Sequence, residues 1–468
     1  MASGIEALRK IQIGREATAG TKVAATAKLI GKLTMAEEVL LHRPDEERGS
    51  LADIFRTILV GERVGLTFDG LVNFEQLPYL LSMAITNKIN GDTANPTQGK
   101  YYNNVTYVDM PNAIDGAAGT AHTLAAYLTA TDSILICAAA KFRGIKVDIG
   151  STPNAVASTV TVQCSNGAGG WLAATLIADN TKPGAASMAQ DGTIEFTPHA
   201  SWASDTIDGD AGFWVKLTWS ANWTASVIIN DCYTIAFASV WTYAPVLTAG
   251  NTPQSYTVEY GDDVQEYEAE YVVARDMEIS GGIDAPLAAK AGLFGRNLAA
   301  STFTGALTDP TLETAVNNKS RLYIDATGGT IGSTEKATTL ISWSAKITTG
   351  FTPVVHGSAN LFFDALAETK KKISVDMTIA FNSGVETERT MYAAGTRRLF
   401  RLRSVGSLIA GTDYKQLTVD FAGVYTKWST LQSRDGEDTV AVTVEGEYDS
   451  TYGKLFEIVV QNTVAVLP

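Results

Sequence analysis

The chain has 468 residues, of which 45 % are hydrophobic and 18 % charged, a balance that excludes a disordered protein and leaves room for two or three ordinary domains. Lys and Arg number 36 against 50 Asp and Glu, a net charge of −14. Such a balance excludes a nucleic-acid grip built on clustered basic charge, although not the passage of DNA nearby.

At the amino terminus, MASGIEALRKIQIG has no apolar core of signal-peptide length. The longest apolar run, Ile134 to Ala140, is far short of the ~20 residues that a membrane helix needs. Gly14 to Lys22 imitates a phosphate loop, but its glycines stand one residue too far apart and Thr21 precedes Lys22, so it reads as a flexible segment. Val64 to Phe68 reads as a strand leading into a helix. There Asn73 is placed to cap, Gln76 to reach back, and Phe74, Leu77, Leu81 and Ala84 to share one face.

The stretch 101–240 has a different character. It holds all three cysteines, Cys137, Cys164 and Cys232, and five of the eight tryptophans. Three cysteines do not make a disulfide framework, so cytoplasmic synthesis with free thiols is expected. Turn signals at Asn166-Gly167, Pro183-Gly184 and Asp191-Gly192 separate short strands such as Ile145 to Ile149 and Val160 to Gln163, the pattern of an inserted β-sandwich. Asp205, Asp208 and Asp210 around Gly209 read either as a solvated turn or as a calcium loop. Exposed tryptophans stack on sugar rings, which makes Trp171, Trp202 and Trp223 candidate sugar contacts; the plainer reading puts Trp214 and its neighbours in the core of the sandwich.

Beyond the insertion, Glu268 and Glu270 fall on one side of a strand, as a polar face or, for a sugar hydrolase, a carboxylate pair. Gly328, Gly329 and Gly332 form a turn without dinucleotide-binding context. Ile373 to Phe381, Leu417 to Phe421 and Val440 to Val444 alternate apolar with polar residues, which predicts antiparallel strands with one buried face. Ser383 and Glu386 have capping-box spacing and Gly395 is placed to end that helix. The order strand, helix, strands thus occurs twice, which predicts a duplicated β-rich unit split into residues 1–100, 241–330 and 331–468. His42, His122, His199 and His356 are scattered, and no Gly-x-Ser-x-Gly elbow occurs. No catalytic residue, cofactor or metal is expected.

Several segments resemble the tail tube proteins of long-tailed bacteriophages: Ile13-Gly-Arg-Glu-Ala-Thr-Ala-Gly-Thr-Lys-Val-Ala-Ala-Thr, Pro44-Asp-Glu-Glu-Arg-Gly49, and Phe68-Asp-Gly-Leu-Val-Asn-Phe-Glu-Gln-Leu-Pro-Tyr-Leu-Leu81. Trp241-Thr-Tyr-Ala-Pro, Tyr256-Thr-Val-Glu-Tyr-Gly-Asp-Asp263 and Gly281 to Arg296 continue the likeness across about two thirds of the chain, on both flanks of the insertion. More weakly, Asp191-Gly-Thr-Ile-Glu-Phe-Thr-Pro198, Trp202 and Phe213-Trp-Val-Lys-Leu217 resemble small β-sandwich domains of other phage structural proteins.

The resemblance implies a mainly β fold: duplicated sandwich or split-barrel tube units with short helices, an outward-facing inserted sandwich, and strands that complete a barrel between subunits. It implies a structural, non-enzymatic protein of the virion tail, assembled in the host cytoplasm into stacked rings through which DNA leaves the phage. Rings of this kind have six units, so three two-unit chains would suffice; six copies of one elaborated unit are the other arrangement. The implied partners are further copies of the chain, the tape measure protein, and the tail terminator and baseplate proteins. DNA would slide past unbound, and the insertion could meet host glycans. An acidic bore would repel the duplex, with Glu268, Glu270, Glu445 and Glu447 as lumen candidates. A sugar-binding adhesin is the alternative.

Overall fold

The computed structural model describes the chain except residues 1–4, 52, 86, 91–92, 118, 125–131, 224–225, 358–359, 411–412, 465–466 and 468. It divides into two compact units, one of residues 1–90 with 240–468 and one of residues 91–239. The expected boundary at residue 101 falls inside the strand Gln98–Tyr102, whose backbone pairs with Ser133–Ala138 of the inserted unit. The insertion therefore begins earlier.

Twelve strands organise the larger unit: β1 (Lys10–Arg15), β2 (Lys32–His42), β3 (Ile58–Leu71), β4 (Tyr256–Gly261), β5 (Glu266–Gly281), β6 (Leu287–Ser301), β7 (Ser320–Ala326), β8 (Leu340–Thr348), β9 (Lys372–Ala380), β10 (Arg398–Ala410), β11 (Asp413–Trp428) and β12 (Glu437–Gly446). Helix α1 (Leu77–Ala84) follows β3, and α2 (Ser383–Ala393) follows β9. The first six strands pair in the order β1-β4-β5-β6-β3-β2. The last six pair in the order β7-β10-β11-β12-β9-β8. Each strand of the second path thus stands six places after its counterpart in the first. Even a bulge recurs: the ladder slips at Arg275 between β5 and β6 and at Thr426 between β11 and β12.

The two paths meet where β5 pairs with β8, from Asp276 opposite Thr348 to Gly281 opposite Trp343. An unbroken antiparallel row of eight strands results, β2-β3-β6-β5-β8-β9-β12-β11. Period-two alternation sends one side chain of each pair inward. Phe68, Met277, Ala291, Ile347, Val375 and Val444 join one apolar core, against which both helices lie. Among the described residues the row does not close on itself within one chain.

Helix caps differ in detail from expectation. Asn382, not Ser383, caps α2, its side chain accepting from the N–H of Gly384 at 3.0 Å and Val385 at 3.2 Å. Gly395 ends that helix with φ +60°. Asn73 does not cap α1, which begins only at Leu77 and has Pro78 in its first turn.

In the smaller unit one sheet holds Trp171–Ala173, Val160–Ser165, Asp210–Trp219, Ser133–Ala138, Gln98–Tyr102 and Tyr107–Asp109. The other holds Thr175–Asp179, Gly192–Thr197, Gly144–Ile149 and Ile228–Ile235. Val162, Val215 and Leu217 from the first share a core with Ile145, Phe196 and Ile229 from the second, a β-sandwich.

Candidate functional site

The outward face of the eight-strand row is polar, a mixture of hydroxyls, carboxylates and lysines. Thr67 and Asp69 of β3, Glu278 and Ser280 of β5, Ser342, Ser344 and Lys346 of β8, Ser374 and Asp376 of β9, and Thr443 and Glu445 of β12 all alternate with buried or half-buried residues. Alternation puts them there, since their neighbours fill the core.

These carboxylates have partners on the next strand. Glu278 accepts from the Ser344 hydroxyl at 2.7 Å, and Glu445 from the Ser374 hydroxyl at 2.9 Å. Asp376 takes the Thr443 hydroxyl at 2.7 Å and the Lys346 ammonium at 3.2 Å. Lys290 lies 3.6 Å from Asp69, and Arg275 donates to Asp276 at 3.0 Å. Each of these three cations is thus held by a carboxylate, while Glu278 and Glu445 are hydrogen-bonded by serine hydroxyls. The face offers acidic and hydroxyl groups, and its Lys290 and Lys346 are already engaged.

The row ends in two open edges. Among the described residues, β2 pairs with β3 alone, and β11 from Lys427 onward pairs with β12 alone. Unpaired backbone N–H and C=O groups on a strand edge are templates for another strand.

The four lumen candidates separate. Glu445 belongs to the polar face of the row. Glu447 lies just past β12 and takes Arg397 at 2.9 Å. Glu270 is a correction: it is only 9 % exposed and closes on Arg296 at 3.1 Å, so it presents no free charge. Glu268 faces Lys22 at 2.5 Å and Ser301 at 3.0 Å; the hydrogen bond, then the charge, raises the Lys22 ammonium above its ordinary pKa. Both acids precede the Arg275 bulge, in the stretch of β5 that has β4 and not β8 on its other side. Sequence spacing missed Glu278 and Asp376, although each stands in the alternation that identified Glu445.

Two of the three candidate sugar contacts are corrected as well. Trp202 and Trp223 are each 2 % exposed in the core of the sandwich, Trp202 edge-on to Phe142 and Trp223 to Trp219. Neither ring has a face to offer. Trp171 is half-buried with the Lys216 ammonium 4.9 Å over its ring. Asp208 and Asp210 of the would-be calcium loop close instead on Lys100, at 3.2 and 2.7 Å, together with Asp109 at 2.7 Å. Burial opposes the Lys100 charge, but the hydrogen bonds its ammonium donates to these three acids outweigh it and raise the pKa. Among the described residues no group of three His, Cys, Asp or Glu side chains is arranged to hold a metal.

In comparisons with protein-family models and with curated proteins, nothing matches the chain.

Proposed function

We propose that the chain is the structural subunit of a hollow protein tube, the tail tube of a long-tailed bacteriophage, and that it works by polymerising. The observation that carries this reading is the pair of six-strand paths with identical pairing order and matched bulges, ending in two open edges. On this reading each path is one tube unit. The operation that takes the first onto the second, repeated through further copies, extends the row until it meets its own start. Three copies then supply the six units of a ring, and 24 strands, eight from each chain, form the barrel. Closing the sheet removes the edges that would otherwise pair without control.

The polar face is the proposed lining of the bore, because the opposite face is filled by core and helices. DNA binding draws its strength from cations that displace counterions from phosphate. Lys290 and Lys346 are held by Asp69 and Asp376, so a passing duplex meets hydroxyls and carboxylates and slides. The inserted sandwich belongs outside the tube, and the tape measure, terminator and baseplate proteins are the proposed further partners. The adhesin reading is less supported, since Trp202 and Trp223 are enclosed by their own domain.

Sedimentation of the purified chain tests the proposal. Species of several chains, growing with concentration, are expected; a lone 49.8 kDa particle under every assembly condition would contradict it.

A further inference from the structure

We propose that copies of this chain join in the register that already joins its two halves, β11 of one copy antiparallel to β2 of the next, with Lys427 opposite Glu38 and Trp428 opposite Glu37. The inference rests on the ring reading and adds the residues of the seam.

The register follows from counting across the ladders. Arg275 and Thr426 occupy the same bulge, so Asp276 corresponds to Lys427 and Met277 to Trp428. Crossing the sheet from Met277 passes Ala291 and Phe68 and arrives at Leu33. The same crossing from Trp428 passes Val442 and Met377 and arrives at Trp343. Leu33 on β2 therefore corresponds to Trp343 on β8, and four and five residues on, Glu37 and Glu38 correspond to Ile347 and Thr348. Inside the chain Asp276 faces Thr348 and Met277 faces Ile347. Substituting the counterparts gives Lys427 facing Glu38 and Trp428 facing Glu37.

Chemistry supports what the counting gives. Lys427 and Glu38 are exposed, opposite in charge, and without an ion-pair partner among the described residues. The seam inside the chain carries the same signature two residues along, where Glu278 stands opposite Lys346. Trp428 is only partly buried, against Tyr392 and Tyr425, and its edge is where the next strand would lie. Because the two edges belong to opposite ends of one row, they fit head to tail and specify a second copy of this chain as the partner.

The test pairs Lys427→Cys with Glu38→Cys in the full chain. Directly opposed residues in an antiparallel pair have Cα atoms about 4.5–5.5 Å apart, within disulfide reach. Cys137, Cys164 and Cys232 are buried and free, so they do not compete. Mild oxidation of the assembled variant is expected to give a reducible ladder of linked chains. A Lys427→Cys, Lys32→Cys control is expected to give none, since six residues displace the thiols by roughly 20 Å.

Assembly without the ladder, or a ladder equally strong in the control, overturns the register while the ring reading stands. Wild-type chain that never assembles overturns both. As a second measurement, Lys427→Glu or Glu38→Lys alone is expected to lower the assembled fraction about tenfold, because like charges directly opposite destabilise a strand pair. Combining the two reversals is expected to restore assembly, and a double variant as defective as either single one overturns the pairing.

Discussion

Glu388 is the most enclosed charge in the larger unit, with no exposed side-chain surface. Arg398 grips it with two nitrogens at 3.0 and 2.8 Å, Lys336 lies at 3.1 Å, and the Tyr425 hydroxyl at 3.4 Å. The cluster ties α2 to β10 and β11. Glu388→Gln leaves two largely buried cations short of a counter-charge, a loss on the order of 3 kcal/mol, to be read as a lowered urea midpoint. Glu313 offers a pH test. Burial opposes its ionisation, but hydrogen bonds from Ser407 and Lys415 and the Lys415 charge more than offset this, so its pKa is lowered. A lowered folded-state value adds stability above the unfolded carboxylate pKa of about 4.3, and that stability is lost as pH falls through the folded value. Glu313→Gln is therefore expected to destabilise at about pH 7 and to lose its effect progressively as pH falls below the unfolded carboxylate value of about 4.3, as denaturation across that range would record.

At the scale of elements, the strands were legible because each buries one face, and a face that alternates leaves its mark in the sequence. The strand expected from Ile373 to Phe381 is shifted by one residue, to Lys372–Ala380, and the one expected from Val440 to Val444 gains three residues at its start and two at its end. Caps were less legible: Asn382 and Ser383 are adjacent and both can cap, so only backbone geometry chooses between them. The burial of Glu270 was not legible at all, because its partner Arg296 approaches from the neighbouring strand beside a bulge. Nor were the open edges, since the absence of a neighbour leaves no local pattern. The β5–β8 seam depends on Gly281, where an added Cβ would collide with the Asn317 amide and the Trp343 indole. Gly281→Ala is expected to cost about 1–3 kcal/mol through overpacking and to loosen β8, measurable as faster amide exchange from Trp343 to Thr348.

For the whole molecule, the sequence made the insertion visible through its tryptophans and turns, whereas the matched strand order of the halves emerges only from pairings between residues far apart in the chain. The proposed function makes the polar face consequential. Asp376→Lys removes the carboxylate that holds Lys346 and adds a second cation beside it, so each bore would gain phosphate-binding charge at that position. Slower DNA ejection from particles built with this variant, worsening as salt is lowered, is the expected result; unchanged kinetics would remove Asp376 from the bore. End-on electron micrographs of the assembled chain test the tube itself. A hollow ring of three copies with pseudo-six-fold walls around an open centre is expected, and solitary particles or a filled disc would rule the tube out.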